Sequence, residues 1–197
     1  MAAAFTGITA TTAAVANRFV TSTNMINGAY TLANTTPAWQ GGAFVTVTHS
    51  IVAVGTDVLG TITVVGVDLA GNVRTDVITP LAGAVATGTI PLRTITSITG
   101  AGWTIAGGND TIVVGVAAGS IVCGTDGILY GVVVNATAAA TVVLSDSTRT
   151  IATLKASIAE NAYAYAPGID FVGYLKVSTT STNDITVLHS PTRSFGV

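Results

Sequence analysis

The residue types that carry out chemistry in proteins are few in this chain and widely dispersed. Among its 197 residues there are two histidines, one cysteine and one glutamate, Glu160. His49 and His189 lie far apart, and a zinc site needs several Cys or His ligands close together. A Ser-His-Asp triad is arithmetically possible, but the Gly-x-Ser-x-Gly turn is absent. We therefore predict that the protein is not an enzyme, with no catalytic, cofactor-binding or metal-binding residue, and that both histidines face solvent at strand ends.

The aspartates are the remaining source of reactive groups, since paired carboxylates serve acid–base and glycosidase chemistry. Most of them stand in or beside predicted turns, where Asp binds nearby backbone N–H groups. Turn formation therefore accounts for them. Asp68, Asn72 and Asp76 resemble a calcium loop, but they lack the spacing and terminal glutamate of an EF-hand. We expect no metal there.

Two further groups of residues have an ordinary structural interpretation. Cys123 lies in an apolar run with no basic neighbour in sequence to lower its pKa, which predicts a buried, inert thiol. Tyr163 and Tyr165 alternate, and Phe171 and Tyr174 follow. An exposed set of aromatic residues would suit a sugar-binding face, and we favour core packing of these side chains.

The low charge of the chain indicates assembly. Charged residues make up 8% of the sequence, against about 25% in ordinary soluble domains. Surface charge normally keeps a lone monomer in solution, so this surface is expected to be covered by other subunits. The seven Lys and Arg residues are scattered singly. Because no cluster of them could neutralise several phosphates, nucleic-acid binding is not expected.

The sequence predicts that β-strands position these residues. Thr, Val and Ile are abundant and suit a pleated, half-buried surface. Residues 61–67 and 73–79 form a predicted hairpin, whose turn at 68–72 places Gly71 where positive φ is needed. Short strands at regular spacing then predict an all-β fold of two small antiparallel β-sandwich-like modules, residues 41–118 and 119–197. One larger sandwich or jelly roll is the competing architecture. The second module has predicted strands at 128–135, 141–145, 150–154, 162–165, 170–178 and 184–189.

Residues 1–40 are rich in Thr, Ala and Asn and have weak periodicity. We expect an extended N-terminal arm that pairs with the sheet edge of a neighbour, with a locally packed strand or a frayed terminus as the alternative. The uncharged stretches 111–125 and 127–145 are interpreted as strands, so no membrane span is expected. No Lys or Arg precedes Arg18, and a secretory signal is therefore not expected. The chain is expected to be made and kept in a cytoplasm before assembly.

Two stretches resemble β modules of tailed-bacteriophage virion proteins. The first is Ile62–Ile78, with its Gly-x-Asp-x-x-Gly-Asn hairpin, followed by the strand Thr94–Ile98. The second combines 127–135, 142–146, 151–154 and 168–171, which are similar to parts of small proteins that decorate capsids. The resemblance implies a role in virion structure and transfers no catalytic or ligand residue.

The resemblance and the low charge together predict a non-enzymatic capsid decoration, or cement, protein on the outer surface of a phage head. Its expected partners are the major capsid protein and further copies of itself, as a homo-oligomer and most simply a trimer. It would bridge neighbouring capsomers and stabilise the head. The alternative is a tail, adaptor or fibre protein that binds host-surface carbohydrate.

Overall fold

The computed structural model describes residues 4–9, 12–50, 58–81, 83–104, 110–136, 140–182 and 184–191. Within these ranges the chain forms strands and no helix, which confirms the all-β prediction. The sixteen strands are β1 (Ala4–Ile8), β2 (Val15–Asn24), β3 (Gly28–Ala29), β4 (Val45–Ser50), β5 (Thr61–Val67), β6 (Val73–Ile78), β7 (Val85–Thr87), β8 (Thr94–Ala101), β9 (Thr111–Val116), β10 (Ser120–Cys123), β11 (Gly127–Ala136), β12 (Val142–Ser145), β13 (Thr150–Leu154), β14 (Asn161–Phe171), β15 (Leu175–Thr179) and β16 (Asp184–Pro191). The described residues contain no helix long and apolar enough to cross a membrane.

The chain divides into two compact units. Module A comprises Ala14–Ala38 and Gly42–Ala117, and module B comprises Met1–Ala13, Trp39–Gly41 and Ala118–Val197. Module A holds β2 to β9, and module B holds β1 and β10 to β16. Each module therefore has eight strands, in two four-stranded antiparallel sheets.

The two modules have the same strand order. Module A has the sheets β2-β9-β4-β7 and β3-β8-β5-β6, and module B has β1-β16-β11-β14 and β10-β15-β12-β13. Counted from first to eighth strand within its module, each pair of sheets has the order 1-8-3-6 and 2-7-4-5. The first strand pairs with the eighth, the second with the seventh, the third with the sixth and the fourth with the fifth. This arrangement is a jelly roll, so each module is a complete roll. The predicted ranges 41–118 and 119–197 each lack strands that residues 1–40 supply.

The expected N-terminal arm is the main difference between prediction and structure. Within residues 1–40, β1 pairs with β16 of module B, with Ala4 opposite His189. β2 pairs with β9 of module A, with Val15 opposite Val116. The described part of this segment thus supplies the first strand of each roll. The arm prediction is wrong because the strand partners lie far along the chain, where local periodicity does not reveal them.

Module A is inserted into module B along the sequence. All of its strands fall between β1 and β10, the first and second strands of module B. The first and last strands of module A, β2 and β9, are neighbours in one sheet. The chain therefore first enters and finally leaves module A at the same end of two neighbouring strands, an arrangement that tolerates domain insertion.

Alternating burial gives module B its interior. Leu129, Val132 and Val134 of β11 pack in one apolar cluster with Leu144 of β12 and Leu175 of β15, so side chains of both sheets share a core. In module A, β5 buries Ile62 and Val64 and half-exposes the residues between them. Full burial of each such side chain stabilises the fold by about 1.5–3 kcal/mol relative to exposure.

The turns follow the predicted pattern at one position and depart from it at another. Gly71 has φ +88°, as expected for the turn between β5 and β6, and no atom lies within 4 Å of the position of a Cβ there. The predicted strand 170–178 is interrupted, because β14 ends at Phe171 and β15 begins at Leu175. Gly173, with φ +76°, makes the intervening turn.

Candidate functional site

His49 and Asp110 form a buried polar pair in module A. The imidazole Nε2 lies 3.1 Å from the carboxylate Oδ2, and both residues are fully buried. The ring of Trp103 meets the imidazole edge-on, with ring centroids 5.0 Å apart. His49 follows Val45 and Val47 on the inward side of β4, so the alternation of that strand turns it into the interior. The prediction that His49 faces solvent is wrong for this reason.

This pair has the composition of part of a catalytic triad, but its position indicates a structural role. A general base must come within hydrogen-bonding reach of a substrate proton, whereas His49 has no exposed surface. Its Nδ1 has no hydrogen-bond partner among the described residues. A buried charge or dipole is costly unless it is paired, and Asp110 supplies that partner at Nε2.

His189 is also buried, in module B, so the prediction of a solvent-facing position fails here too. It lies on β16 opposite the first strand of the module, and its Nε2 is 3.2 Å from the hydroxyl of Thr6. Burial lowers the pKa of His189, because the charged imidazolium is disfavoured away from water. Sequence alternation contains the signal, since His189 shares its side of β16 with Val187 and Ile185.

The fourth and fifth strands of each module are joined by a turn built on an aspartate. In module A, Asp68 Oδ1 accepts the N–H groups of Ala70 and Asn72, each at 2.9 Å. In module B, Asp146 Oδ1 accepts the N–H groups of Thr148 and Arg149, each at 2.7 Å. The turn interpretation of the aspartates is therefore confirmed at both positions.

The two turn carboxylates are held in their ionised form. Burial pushes the pKa of Asp68 upward, but hydrogen bonds from Asn72 and Ala70 and the charge of Arg74 outweigh it, and the pKa is lowered. Burial also pushes the pKa of Asp146 upward, but the hydrogen bonds from Thr148 and from other backbone N–H groups outweigh it, and the pKa is lowered. Both carboxylates stabilise chain reversal.

The calcium loop suggested by Asp68, Asn72 and Asp76 does not form as one site. Asp68 faces its own turn and the Arg74 guanidinium at 3.3 Å. Asp76 is buried in β6 and accepts the N–H groups of Thr89 and Ile90. Across the described part of the chain, no group of three or more His, Cys, Asp or Glu residues is placed to hold a metal ion.

The cysteine and the aromatic residues have the structural positions that sequence favoured. Cys123 is buried and free in module B, where its Sγ lies 3.6 Å from the carbonyl oxygen of Thr125. Tyr163 and Tyr165 pack against the module B core, and Phe171 belongs to it. Burial raises the pKa of Tyr165. The core-packing interpretation is confirmed for these three aromatic residues.

Module B carries an open groove of about 470 Å³. Its lining consists of short, uncharged side chains, which include Thr12, Thr141, Val143, Ser178 and Thr180. Thr12 is anchored there, because its hydroxyl accepts the N–H of Thr179 at 2.8 Å. The groove contains none of the candidate chemical groups described above.

The surface of module A has a large uncharged area, here named the threonine–valine face. It is the outward side of the sheet β3-β8-β5-β6. Its members are the residues that alternate with the buried ones: Thr61, Thr63, Val65 and Val67 on β5, Val73, Thr75 and Val77 on β6, and Thr94, Ser97 and Thr99 on β8. Such a surface can do no chemistry, but it can bury area against another protein.

No protein-family model, curated protein or solved structure matches this chain. Its class is therefore defined by its own architecture. The chain is an all-β protein of two eight-stranded jelly rolls, one inserted into the sequence of the other, and its most distinctive surface is the threonine–valine face.

Proposed function

We propose that the protein is a non-enzymatic decoration, or cement, protein of a tailed-phage head. It binds the major capsid protein on the outside of the particle, bridges neighbouring capsomers and associates with itself, most simply as a trimer. The observation that carries this proposal is the threonine–valine face. Charged residues are depleted at the cores of protein–protein interfaces, and this face presents β-branched side chains without a charge among them.

Two further features support the proposal. Phe5, on the edge strand β1 of module B, is 71% exposed although it is large and apolar, and its burial against another protein would be favourable. The jelly roll is a common fold of viral capsid proteins, and also of lectins. A shared fold supports a function only by analogy, so the uncharged surface is the main support for the proposal.

A modest contact of this kind suffices in a particle. Each interface must offset the entropy lost on association, so that burial of apolar area leaves only a small net affinity. Repetition of the contact over a closed lattice converts weak individual contacts into strong retention. A low surface charge, which disfavours a solitary monomer, is tolerated when the face is covered.

The first test measures copy number in particles purified from the phage that encodes the chain. On a denaturing gel, a cement protein should approach the abundance of the major capsid protein. A few copies per particle would favour the tail or fibre alternative, which glycan binding by the purified protein would then support. Absence from the particle would overturn both assignments to a virion.

The second test introduces a charge into the face. Particles that lack the protein are incubated with purified native chain, with Val65→Glu and with the matched control Val143→Glu. Both valines are half-buried on the fourth strand of their modules, but only Val65 belongs to the threonine–valine face. We expect Val65→Glu to lose binding by at least about tenfold, while Val143→Glu binds normally. Equal binding by all three proteins would contradict the proposal.

A further inference from the structure

Strand β6 lies at the edge of its sheet in module A. It pairs with β5 on one side, and no other described strand pairs with it on the other. Two valines project from this edge strand, Val73 with 72% and Val77 with 59% of their surface exposed. An edge strand is a template for pairing with another chain, and the two charges of β6, Arg74 and Asp76, restrict which partner fits.

The hydrogen-bond pattern of the hairpin shows which backbone groups are free. Asp68 donates its N–H to the carbonyl of Asn72 at the end of the ladder. The carbonyl of the preceding Val67 instead accepts the N–H of Arg93, beside β8, so Val67 and Val73 form a non-hydrogen-bonded pair. Bonded and non-bonded pairs alternate along an antiparallel ladder, and the β5–β6 register is continuous. The N–H and C=O groups of Val73, Thr75 and Val77 therefore point away from β5, toward the open edge.

The residues of this edge match a second copy of themselves. The sequence from 73 to 77 is Val-Arg-Thr-Asp-Val. A valine lies two residues from Thr75 on each side, and opposite charges lie one residue from it on each side. We propose that β6 pairs with β6 of a second copy of this chain, antiparallel and about a two-fold axis at Thr75. In this register the outward-pointing backbone groups of each strand meet those of the other.

The charges favour the same partner. Asp76 is 4% exposed, its carboxylate bonds only to Thr89 and Ile90 among the described residues, and no cation pairs with it there. Arg74 is half-exposed and touches its own Asp68. In the two-fold register Arg74 of each copy faces Asp76 of the other in a non-hydrogen-bonded pair, where side chains are closest. Two copies of the chain thus place opposite charges across the contact twice and bring no like charges together.

The corresponding strand of module B lacks these features. β13, also the fifth strand and also at a sheet edge, reads Thr-Ile-Ala-Thr-Leu and contains no charge. The inference therefore concerns module A alone. It goes beyond the proposed function, because it specifies the symmetry and the atoms of one self-contact and holds for the isolated chain. A two-fold contact adds to any trimer contact, since it joins one trimer to the next.

A cysteine at the axis tests the register. Thr75→Cys is prepared with Cys123→Ala, so that the new thiol is the only one, and the matched control is Thr153→Cys on β13. Cα atoms across a hydrogen-bonded antiparallel pair are about 5.5 Å apart, within the range of a disulfide. We expect a covalent dimer from Thr75→Cys under mild oxidation and none from the control. Equal cross-linking of both variants would overturn the register.

A charge reversal tests the contact without a cross-link. Arg74→Glu places a carboxylate opposite the partner's Asp76 and should weaken self-association by at least about tenfold. The matched control is Arg149→Glu, because Arg149 flanks the equivalent turn of module B. By sedimentation, Arg74→Glu should reduce the mass of the native assembly to that of a monomer or a simple trimer, and Arg149→Glu should leave it unchanged.

A proline at the axis provides a second variant if the charge reversal disturbs folding. The N–H of Thr75 points to the open edge, so Thr75→Pro removes no ladder bond within the chain. It should abolish the self-contact and leave the hairpin folded by circular dichroism. A native chain that remains a monomer or a simple trimer at every concentration, or a Thr75→Pro variant with native assembly mass, would show that the two-fold contact does not exist.

Discussion

Modules A and B share one strand order but differ in what they bury. Module A encloses the His49–Asp110 pair beside Trp103. Module B has an apolar cluster, and its buried His189 meets the Thr6 hydroxyl between the first and eighth strands. The same roll thus accommodates different interiors. The path of the chain is the same in both modules, whereas the identity of the buried polar groups differs.

The turn between the fourth and fifth strands is built in the same way in the two modules. Each fourth strand ends at an aspartate whose Oδ1 accepts two backbone N–H groups of the turn, and each carboxylate has an arginine nearby. The surroundings differ, because the side chain of Asp146 is 1% exposed and that of Asp68 is 16% exposed. Substitution of equivalent residues in the two modules therefore separates the effect of burial from that of topology.

The largest effect is expected from Asp110→Ala, just before the eighth strand of module A. It leaves His49 buried without its partner and should destabilise module A by about 3–5 kcal/mol. Asp184→Ala, at the start of the eighth strand of module B, removes an exposed hydrogen bond to Asn135 and should cost less than about 1 kcal/mol. Denaturant unfolding followed by hydrogen exchange in each module measures both. Equal losses of stability in the two variants would show that the buried His49–Asp110 pair stabilises its module no more than an exposed hydrogen bond does.

An intermediate effect is expected at the two aspartate turns. Asp146→Ala removes a buried carboxylate that accepts backbone N–H groups of the turn and of Val172, and it should cost about 2 kcal/mol. Asp68→Ala should cost about 1 kcal/mol, because its turn is exposed to water, which replaces the lost bonds. The difference in melting temperature between the two variants is the measurement. A larger loss of stability in Asp68→Ala would show that burial of the carboxylate does not determine the cost of its removal.

The smallest effect is expected from the protonation of His189. Its folded-state pKa lies below the unfolded value of about 6.5, so the unfolded chain takes up a proton first as the pH falls. Module B should be fully stable above that pH and lose stability as the pH falls toward the folded-state pKa. His189→Gln should flatten this dependence below about pH 6.5. An unchanged pH profile in the variant would exclude His189 as its cause.

Sequence reasoning succeeded where the signal is local. Strands β5 and β13 coincide with the expected ranges 61–67 and 150–154, because residues typical of turns bound them. It failed for β1 and β2, whose partners lie near the other end of their modules. The strand order itself, and hence the repeated roll, depends on such distant pairings and cannot be read from periodicity.

The candidate surfaces show the same limit. The scarcity of charge is evident from composition. That one sheet face carries no charge at all follows only from the β5–β6–β8 register. The histidines were misplaced because a polar residue was expected at the surface, although each continues an apolar i, i+2 series. Alternation was the better guide to burial than residue type in both strands.

The insertion of module A into module B has a consequence for the timing of synthesis. Thr6 and His189, which meet in the finished protein, are 183 residues apart in the chain. At translation rates of about 5–20 residues per second, roughly 10–40 s pass between their emergence. Module A can close within that interval, whereas β1 waits with an open edge until β16 arrives. On a crowded polysome, the first strand of one nascent chain is therefore exposed to the last strand of another, and the order of synthesis itself favours exchange between copies.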